Sequence, residues 1–410
     1  MQIPLGAVDQ GVVDIAREWI WTCQTKHPNC EREATGLFRD ITPRRIVDVR
    51  NGTVKVSTYD KQSPYLTLSH RWGKDPQGSW VSNSSNINGR EFDVEDELPS
   101  TIQDAIGITR LLGYDFIWID SLCIVQDDPD DWATEAGRMS GIYANSTLTI
   151  SADAAADDSE SFLCVRAACS EAFRSFPARK KKDSQERISI HIRYTNRMQD
   201  VGPFDGGIFG SDILDSPLRT RGWILQERIL SPRILHFGKH LLFWECRTSC
   251  LAEDEHTFPY ERRETSVPFL HLLQNSAEKR IDAYNAWAYL VKEYSCKELS
   301  RSDDKLPALS GLAQVIASRT GDQYLAGLWR QNLHLDLHWE RKDSYQMAEL
   351  TSLWRAPSWS WASHDYSVVH FLTHDGLTAS SSQSLDMPDP SFELTYVDII
   401  PESPFTNLVG

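Results

Sequence analysis

The most restrictive feature of this sequence is the run Phe116-Ile-Trp-Ile119, apolar at every position and set between two segments of helical period. A strand that is apolar on both faces must be covered on both faces, which is the condition of a strand inside a parallel sheet. The upstream segment opens at Leu98-Pro99 and places Ile102, Ile106 and Leu112 on one helical face; Pro99 suits the first turn and Gly113 the stop. Downstream, Asp130 or Asp131 can cap a second helix bearing Trp132, Met139, Ile142 and Tyr143. With the short apolar strands Tyr65-Leu-Thr-Leu-Ser69 and Thr147-Leu-Thr-Ile-Ser151, these segments make a βαβαβ unit, whose crossovers are expected to be right-handed. The strands starting near Tyr65, Phe116 and Thr147 should therefore lie parallel and adjacent in one sheet, with both helices packed on it.

The rest of the chain is less regular. Arg187 to Tyr194 alternates, with Ile188, Ile190, Ile192 and Tyr194 on one face, and predicts a half-buried strand. Ser216-Pro217 suits the start of a helix over 218–228, and Arg233-Ile-Leu-His-Phe237 with Leu241-Leu-Phe-Trp244 predicts a hairpin turning at Gly238-Lys239. From about Ser276 the pattern is helical, through Tyr284, Trp287, Val291 and Tyr294 and again near Leu306 to Ser318. Ser358-Trp-Ser-Trp-Ala362 alternates like a strand, its tryptophans expected to pack, and the serine-rich last forty residues are expected to be loosely ordered. The expected architecture is α/β. A flank over 1–62 precedes a parallel-sheet domain with β-rich insertions over 63–260, and a mostly helical, Trp-rich region follows over 261–410.

Among 410 residues, 42 are basic and 58 acidic, a formal charge of −16 that repels polyphosphate and anionic lipid. Nucleic acid and membrane surfaces are therefore not expected as partners. The basic run Arg179-Lys-Lys-Lys182 is followed by Asp183 and Glu186 and is expected as a solvated loop. No basic leader precedes an apolar run and no apolar stretch reaches about 18 residues, so a cytoplasmic location is expected. The 8 scattered cysteines read as reduced thiols.

In an open parallel sheet, ligands bind beyond the carboxyl ends of the strands, where strand order reverses. Two junctions are therefore candidates. The first offers Ser69, His70, Arg71, Trp72 and Gly73; the second offers Asp120, Ser121, Cys123 and Gln126, with Asp131, Trp132 and Glu135 in the first turns of the next helix.

Several stretches, taken in order, resemble the signatures of the fungal heterokaryon incompatibility (HET) domain. They are Tyr65-Leu-Thr-Leu-Ser-His-Arg-Trp-Gly73, Leu98-Pro99, Trp118-Ile-Asp-Ser-Leu-Cys-Ile-Val-Gln126, Asp131-Trp-Ala-Thr-Glu135 and Arg221-Gly-Trp-Ile-Leu-Gln-Glu227. The resemblance runs from about Tyr65 to Glu253. It implies a role in allorecognition and programmed cell death, with self-association or another fungal incompatibility protein as partner. HET domains are thought to be distantly similar to Toll-receptor-type (TIR) domains, whose flavodoxin-like fold some members use to cleave NAD. The resemblance thus also implies an NAD nucleosidase, an N-glycosyl hydrolase that takes NAD as substrate and needs no cofactor. In the NAD-cleaving relatives a glutamate follows an Asp-Trp pair, which carries over to Glu135; the long segments after the third strand depart from that pattern.

The chemistry of Glu135 can be stated without the family. Breaking a nicotinamide N-glycosidic bond leaves an oxocarbenium-like ribose, which a fixed carboxylate stabilises. Arg71 would clamp phosphate, and Trp72 or Trp132 would stack on a ring. The plain alternative for Glu135 is a first-turn acid favoured by the helix dipole. Cys123 with His70 and Asp120 has the types of a thiol nucleophile, base and orienting acid, but a buried inert cysteine is the commoner case. Cys23, His27 and Cys30 have ligand chemistry at i, i+4, i+7. Pro28 interrupts that helix and a fourth ligand is missing, with Cys246 and Cys250 as completions only if the fold brings them near, so no metal site is assigned. Two further readings stay open, a noncatalytic recognition module and a small-molecule enzyme such as a cyclase or isomerase, because a fold does not fix a function.

Overall fold

The computed structural model describes residues 10–31, 36–51, 54–73, 78, 80–87, 91–163, 173–179, 187–193, 210–253, 280–341 and 354–370. Among them, nine strands form one sheet: β1 (Arg45–Asp48), β2 (Val54–Thr58), β3 (Leu66–Ser69), β4 (Glu91–Phe92), β5 (Phe116–Trp118), β6 (Leu148–Ser151), β9 (Arg233–Phe237), β10 (Leu242–Cys246) and β11 (Cys250–Ala252). β7 (Phe173–Arg179) and β8 (Arg187–Arg193) pair as a separate antiparallel ribbon inserted between β6 and β9. The helices are α1 (Gln10–Lys26), α2 (Pro28–Glu31), α3 (Val94–Glu97), α4 (Ser100–Leu112), α5 (Asp120–Cys123), α6 (Pro129–Ala144), α7 (Ile224–Leu230), α8 (Arg280–Tyr294) and α9 (Ser310–Thr320).

The sheet order is β11-β10-β9-β6-β3-β5-β1-β2-β4. β5, β3, β6 and β9 are mutually parallel, as expected for the strands near Tyr65, Phe116 and Thr147. Numbered by appearance, these four stand in the order 2-1-3-4 of flavodoxin-like sheets, so strand order reverses between β3 and β6. Antiparallel strands flank the core on both sides: β1, β2 and β4 beyond β5, and the hairpin of β10 and β11 beyond β9. All four residues of β3 and of β6 are buried, their threonines and serines included, as in strands covered on both faces.

α4 ends where predicted, because Gly113 takes the left-handed conformation (φ 85°) that side chains resist. The cap of α6 differs from expectation. Asp128, not Asp130 or Asp131, is the N-cap, accepting from the backbone N–H groups of Asp130 (3.0 Å) and Asp131 (3.2 Å), with Pro129 as the first helical residue. The predicted helix over 218–228 is broken: a 3-10 turn spans Pro217–Thr220 and α7 begins only at Ile224. Between them Gly222 N–H donates to Glu298 O, and a side chain at 222 would strike Leu299. The strand expected at 358–362 is a turn leading into a 3-10 segment, Trp361–Ser363. Ser360 caps that segment by accepting from Ala362 N–H (3.0 Å), while the Trp361 indole donates to Gly327 O. Alternation there reflects capping and a buried indole, not a pleat.

α8 and α9 pack on each other, and α9 also packs on α6. Their aromatic core (Trp287, Tyr324, Trp329 and Trp361) is continuous with the core of the sheet. Trp361 meets the packing expectation, whereas Trp354 is exposed. No helix among the described residues is long and apolar enough to cross a membrane. Tyr194, the loop at 180–182 and the last forty residues lie outside the described set, as do the side chains of β7 and β8.

Candidate functional site

Ser69 ends β3 at the reversal point, and its hydroxyl donates to the Glu227 carboxylate, supplied by α7. Glu227 is buried, and burial pushes its carboxyl up to about 7 even though Arg221 and Ser69 both favour the charged form. Tyr143, on α6, is buried beside it and donates to Leu68 O at 2.9 Å. Arg221 donates to His70 O from the break before α7. The irregular backbone at 221–223 thus has a use: it carries an arginine to the end of β3 and starts α7 at the angle that delivers Glu227.

Ser69 also lines a small cleft with Thr149, Ser151, Asp153, Arg219, Arg228 and His236, closed around a space of about one water molecule. His236 Nδ1 lies 2.8 Å from Asp153 and Nε2 lies 3.1 Å from Glu245, which also accepts from Arg228 at 3.0 Å. Burial alone would lower His236, but the two carboxylates outweigh it and hold its pKa above the ordinary value. Arg219 pairs with Glu293 at 2.6 Å, leaving its Nη1 buried without a hydrogen-bond partner among the described residues. Sequence reading missed Asp153, Arg219, Arg228, His236 and Glu245, and marked Glu227 only as the end of the family-like stretch Arg221-Gly-Trp-Ile-Leu-Gln-Glu227. A signal was present: His236 stands between Leu235 and Phe237, and Glu245 follows the apolar run Leu242-Phe-Trp244, in strands where a charge persists only if it is paired.

The residues singled out from sequence form a neighbouring group around Asp120. Its carboxylate accepts from the Trp72 indole at 2.9 Å and lies 3.9 Å from His70 Nδ1. Burial pushes His70 down to about 4, so it is neutral near pH 7, and its Nε2 has no hydrogen-bond partner among the described residues. Cys123 is buried and its thiol is pushed up to about 12, the condition of an inert cysteine and not of a nucleophile. Arg71 is half-buried, 3.5 Å from Glu298. Gly73 has to be a glycine, because a Cβ there would stand 2.2 Å from an Asp158 carboxylate oxygen.

Glu135 sits farther along the same edge, toward β1. It is fully buried, burial raises its carboxyl, and the nearest cation contact is Arg44 Nε at 3.8 Å. Neither carboxylate oxygen has a hydrogen-bond partner among the described residues. Beside it Asp131 accepts from Arg44 (3.1 Å), from Val125 N–H (2.9 Å) and from Arg45, whose Nε donates to Cys123 O at 2.6 Å. Trp132 meets Trp223 edge-on at 6.4 Å, with the Arg301 guanidinium 5.5 Å above its ring. Among the described residues no hydrogen bond or ion pair joins Glu135 to residues 69–73. The junctions converge instead through Asp120, which borders Cys123 on one side and Glu227 on the other.

No curated protein and no solved structure matches the chain. Residues 65–227 match the model of the heterokaryon incompatibility protein (HET) family, a span that runs from the first core strand to the glutamate at the reversal point. Through this segment the chain is similar to the heterokaryon incompatibility family.

Proposed function

We propose that this chain acts in the incompatibility response of that family, and that the carboxyl edge around Glu227 is a nucleotide site of the NAD-cleaving kind. The observation that carries the reading is Glu227 itself, a buried carboxylate held by Ser69 where strand order reverses, the usual ligand position of this sheet. In the reaction the bond between ribose C1′ and the nicotinamide nitrogen breaks, its electron pair leaves with nicotinamide, and water adds to the cationic ribose. A desolvated carboxylate stabilises that cation far better than one in water. The unpartnered Nη1 of Arg219 in the cleft suits an anionic group such as a phosphate. Glu135 is the second carboxylate proposed for the same role, on the strength of the Asp131-Trp132-x-x-Glu135 spacing.

A noncatalytic reading has its own support. The cleft is small, Ser69 is paired with Glu227, and Arg228 and His236 are both paired with Glu245, as in a packing core that presents a recognition surface. The separating experiment incubates purified chain with NAD at rising protein concentration and measures nicotinamide release. Release that falls about 100-fold in Glu227→Gln or in Glu135→Gln, with folding retained, identifies the working carboxylate. NAD left intact by the native chain at every concentration favours the recognition role.

A further inference from the structure

The sequence offered three ligand residues near the N-terminus, with Cys246 or Cys250 as a fourth only if the fold brought it near; folding brings Cys246. Cys23 near the end of α1, His27 in the break, Cys30 on α2 and Cys246 at the end of β10 bring one ligand atom each into a group whose members all lie within 4.8 Å of one another. We propose that these four residues bind a single zinc ion that fastens the N-terminal helix to the sheet.

The Pro28 break makes this geometry. On a straight helix Cys23 and Cys30 would stand about 10 Å apart along the axis. α1 stops at Lys26 and Pro28 begins α2 in a new direction, which folds Cys30 back toward Cys23. The distances suit zinc. With metal–sulfur bonds of about 2.3 Å and a metal–nitrogen bond of about 2.0 Å, a tetrahedron has a sulfur–nitrogen edge of about 3.5 Å. Cys246 Sγ lies 3.5 Å from His27 Nδ1. So compact a group holds one ion, not an iron–sulfur cluster, and three thiolates with one imidazole make a closed structural zinc set.

The surroundings are those of a ligand shell. Ser249 N–H donates to Cys246 Sγ at 3.2 Å from the turn between β10 and β11, and Arg233 Nε donates to Cys23 Sγ at 3.2 Å. Three thiolates and a divalent ion carry one net negative charge, which the Arg233 guanidinium offsets. β10 runs antiparallel to β9, with Cys246 opposite Arg233, so the group lies at the amino edge of the parallel strands. The carboxyl-edge cleft is at the other end, which makes the ion a staple and not a reactant.

The test uses the full chain purified without chelator and analysed by elemental mass spectrometry. The expected result is about one zinc per chain, lost at least tenfold in Cys246→Ser and kept in Cys296→Ser, whose cysteine is exposed and elsewhere. Replacing zinc by cobalt(II) should give the intense visible and near-ultraviolet bands of a tetrahedral site with three thiolates, and this carries the test if Cys246→Ser does not fold. A chelator should lower the melting temperature of the native chain. Native chain that carries no metal, and that binds neither zinc nor cobalt on titration under reducing conditions, overturns the proposal. So does a disulfide between any two of Cys23, Cys30 and Cys246 in freshly purified protein.

Discussion

Glu135 and Glu227 are both buried glutamates on helices at the same edge of the same sheet, yet their surroundings differ in kind. Glu135 faces arginines and makes no hydrogen bond among the described residues, whereas Glu227 accepts from a serine at the end of the first parallel strand. The Glu135 corner joins α6 to β1 through the Asp131 network; the Glu227 corner closes the point where strand order reverses. Residue type and burial are alike at the two positions. Their places in the order of strands separate them, and that order exists only after folding.

The contrast can be broken by substitution, beginning where the effect is largest. Asp131→Ala leaves Arg45 and the Val125 N–H unpaired in a mostly buried corner and should destabilise the chain by about 3–5 kcal/mol, read as a fall in the urea midpoint at unchanged slope. A loss below about 1 kcal/mol would mean that the arginines are held by solvent. Next, Glu227→Gln should lower NAD turnover about 100-fold while Glu135→Gln changes it less, as measured by nicotinamide release. The opposite ranking would move the catalytic assignment to the corner marked by the Asp131-Trp132 spacing.

The third effect depends on pH. Burial raises Glu227 from its ordinary 4.5 to about 7, so the folded chain holds a proton that the unfolded chain has released between those values. Stability from this group is complete below about pH 4.5 and is lost as pH rises through about 7. Glu227→Gln cannot ionise. Its melting temperature relative to the native chain should therefore be higher at pH 8 than at pH 5, by about 2–4 °C for each kcal/mol of difference. A difference independent of pH would show that Glu227 titrates as it does in the unfolded chain. The smallest effect is expected at Asp128→Ala, which removes the cap of the helix carrying Glu135 and should cost about 1 kcal/mol by the same denaturation measurement.

How much was legible in advance follows from the range of each interaction. Phe116 to Ile119 is apolar at successive positions, so burial on both faces could be inferred locally, and parallel pairing with β3 followed. Gly113 likewise marked its own helix end. The contact of Ser69 with Glu227 joins residues 158 apart, and that of Asp153 with His236 joins residues 83 apart. Nothing local announces either, because each depends on which strands become neighbours. The cysteine–histidine quartet was only partly visible for the same reason: three of its residues lie between positions 23 and 30, and the fourth arrives from β10. Misreadings arose where one pattern has two causes, as at Ser358 to Ala362, where alternating serine and tryptophan serve a cap and a buried indole.

The continuity of the nine-stranded sheet has a practical consequence for this family match. The matched span begins at Tyr65 and stops at Glu227, but β5 takes its outer neighbour from Arg45–Asp48 and β6 from Arg233–Phe237. A fragment cut to the match would leave both flanks of the three-stranded core with unsatisfied amide and carbonyl groups, a template onto which a second copy can add its own strand. Self-association of such a fragment would then report severed pairing, and only self-association of the intact chain would bear on the recognition reading proposed above.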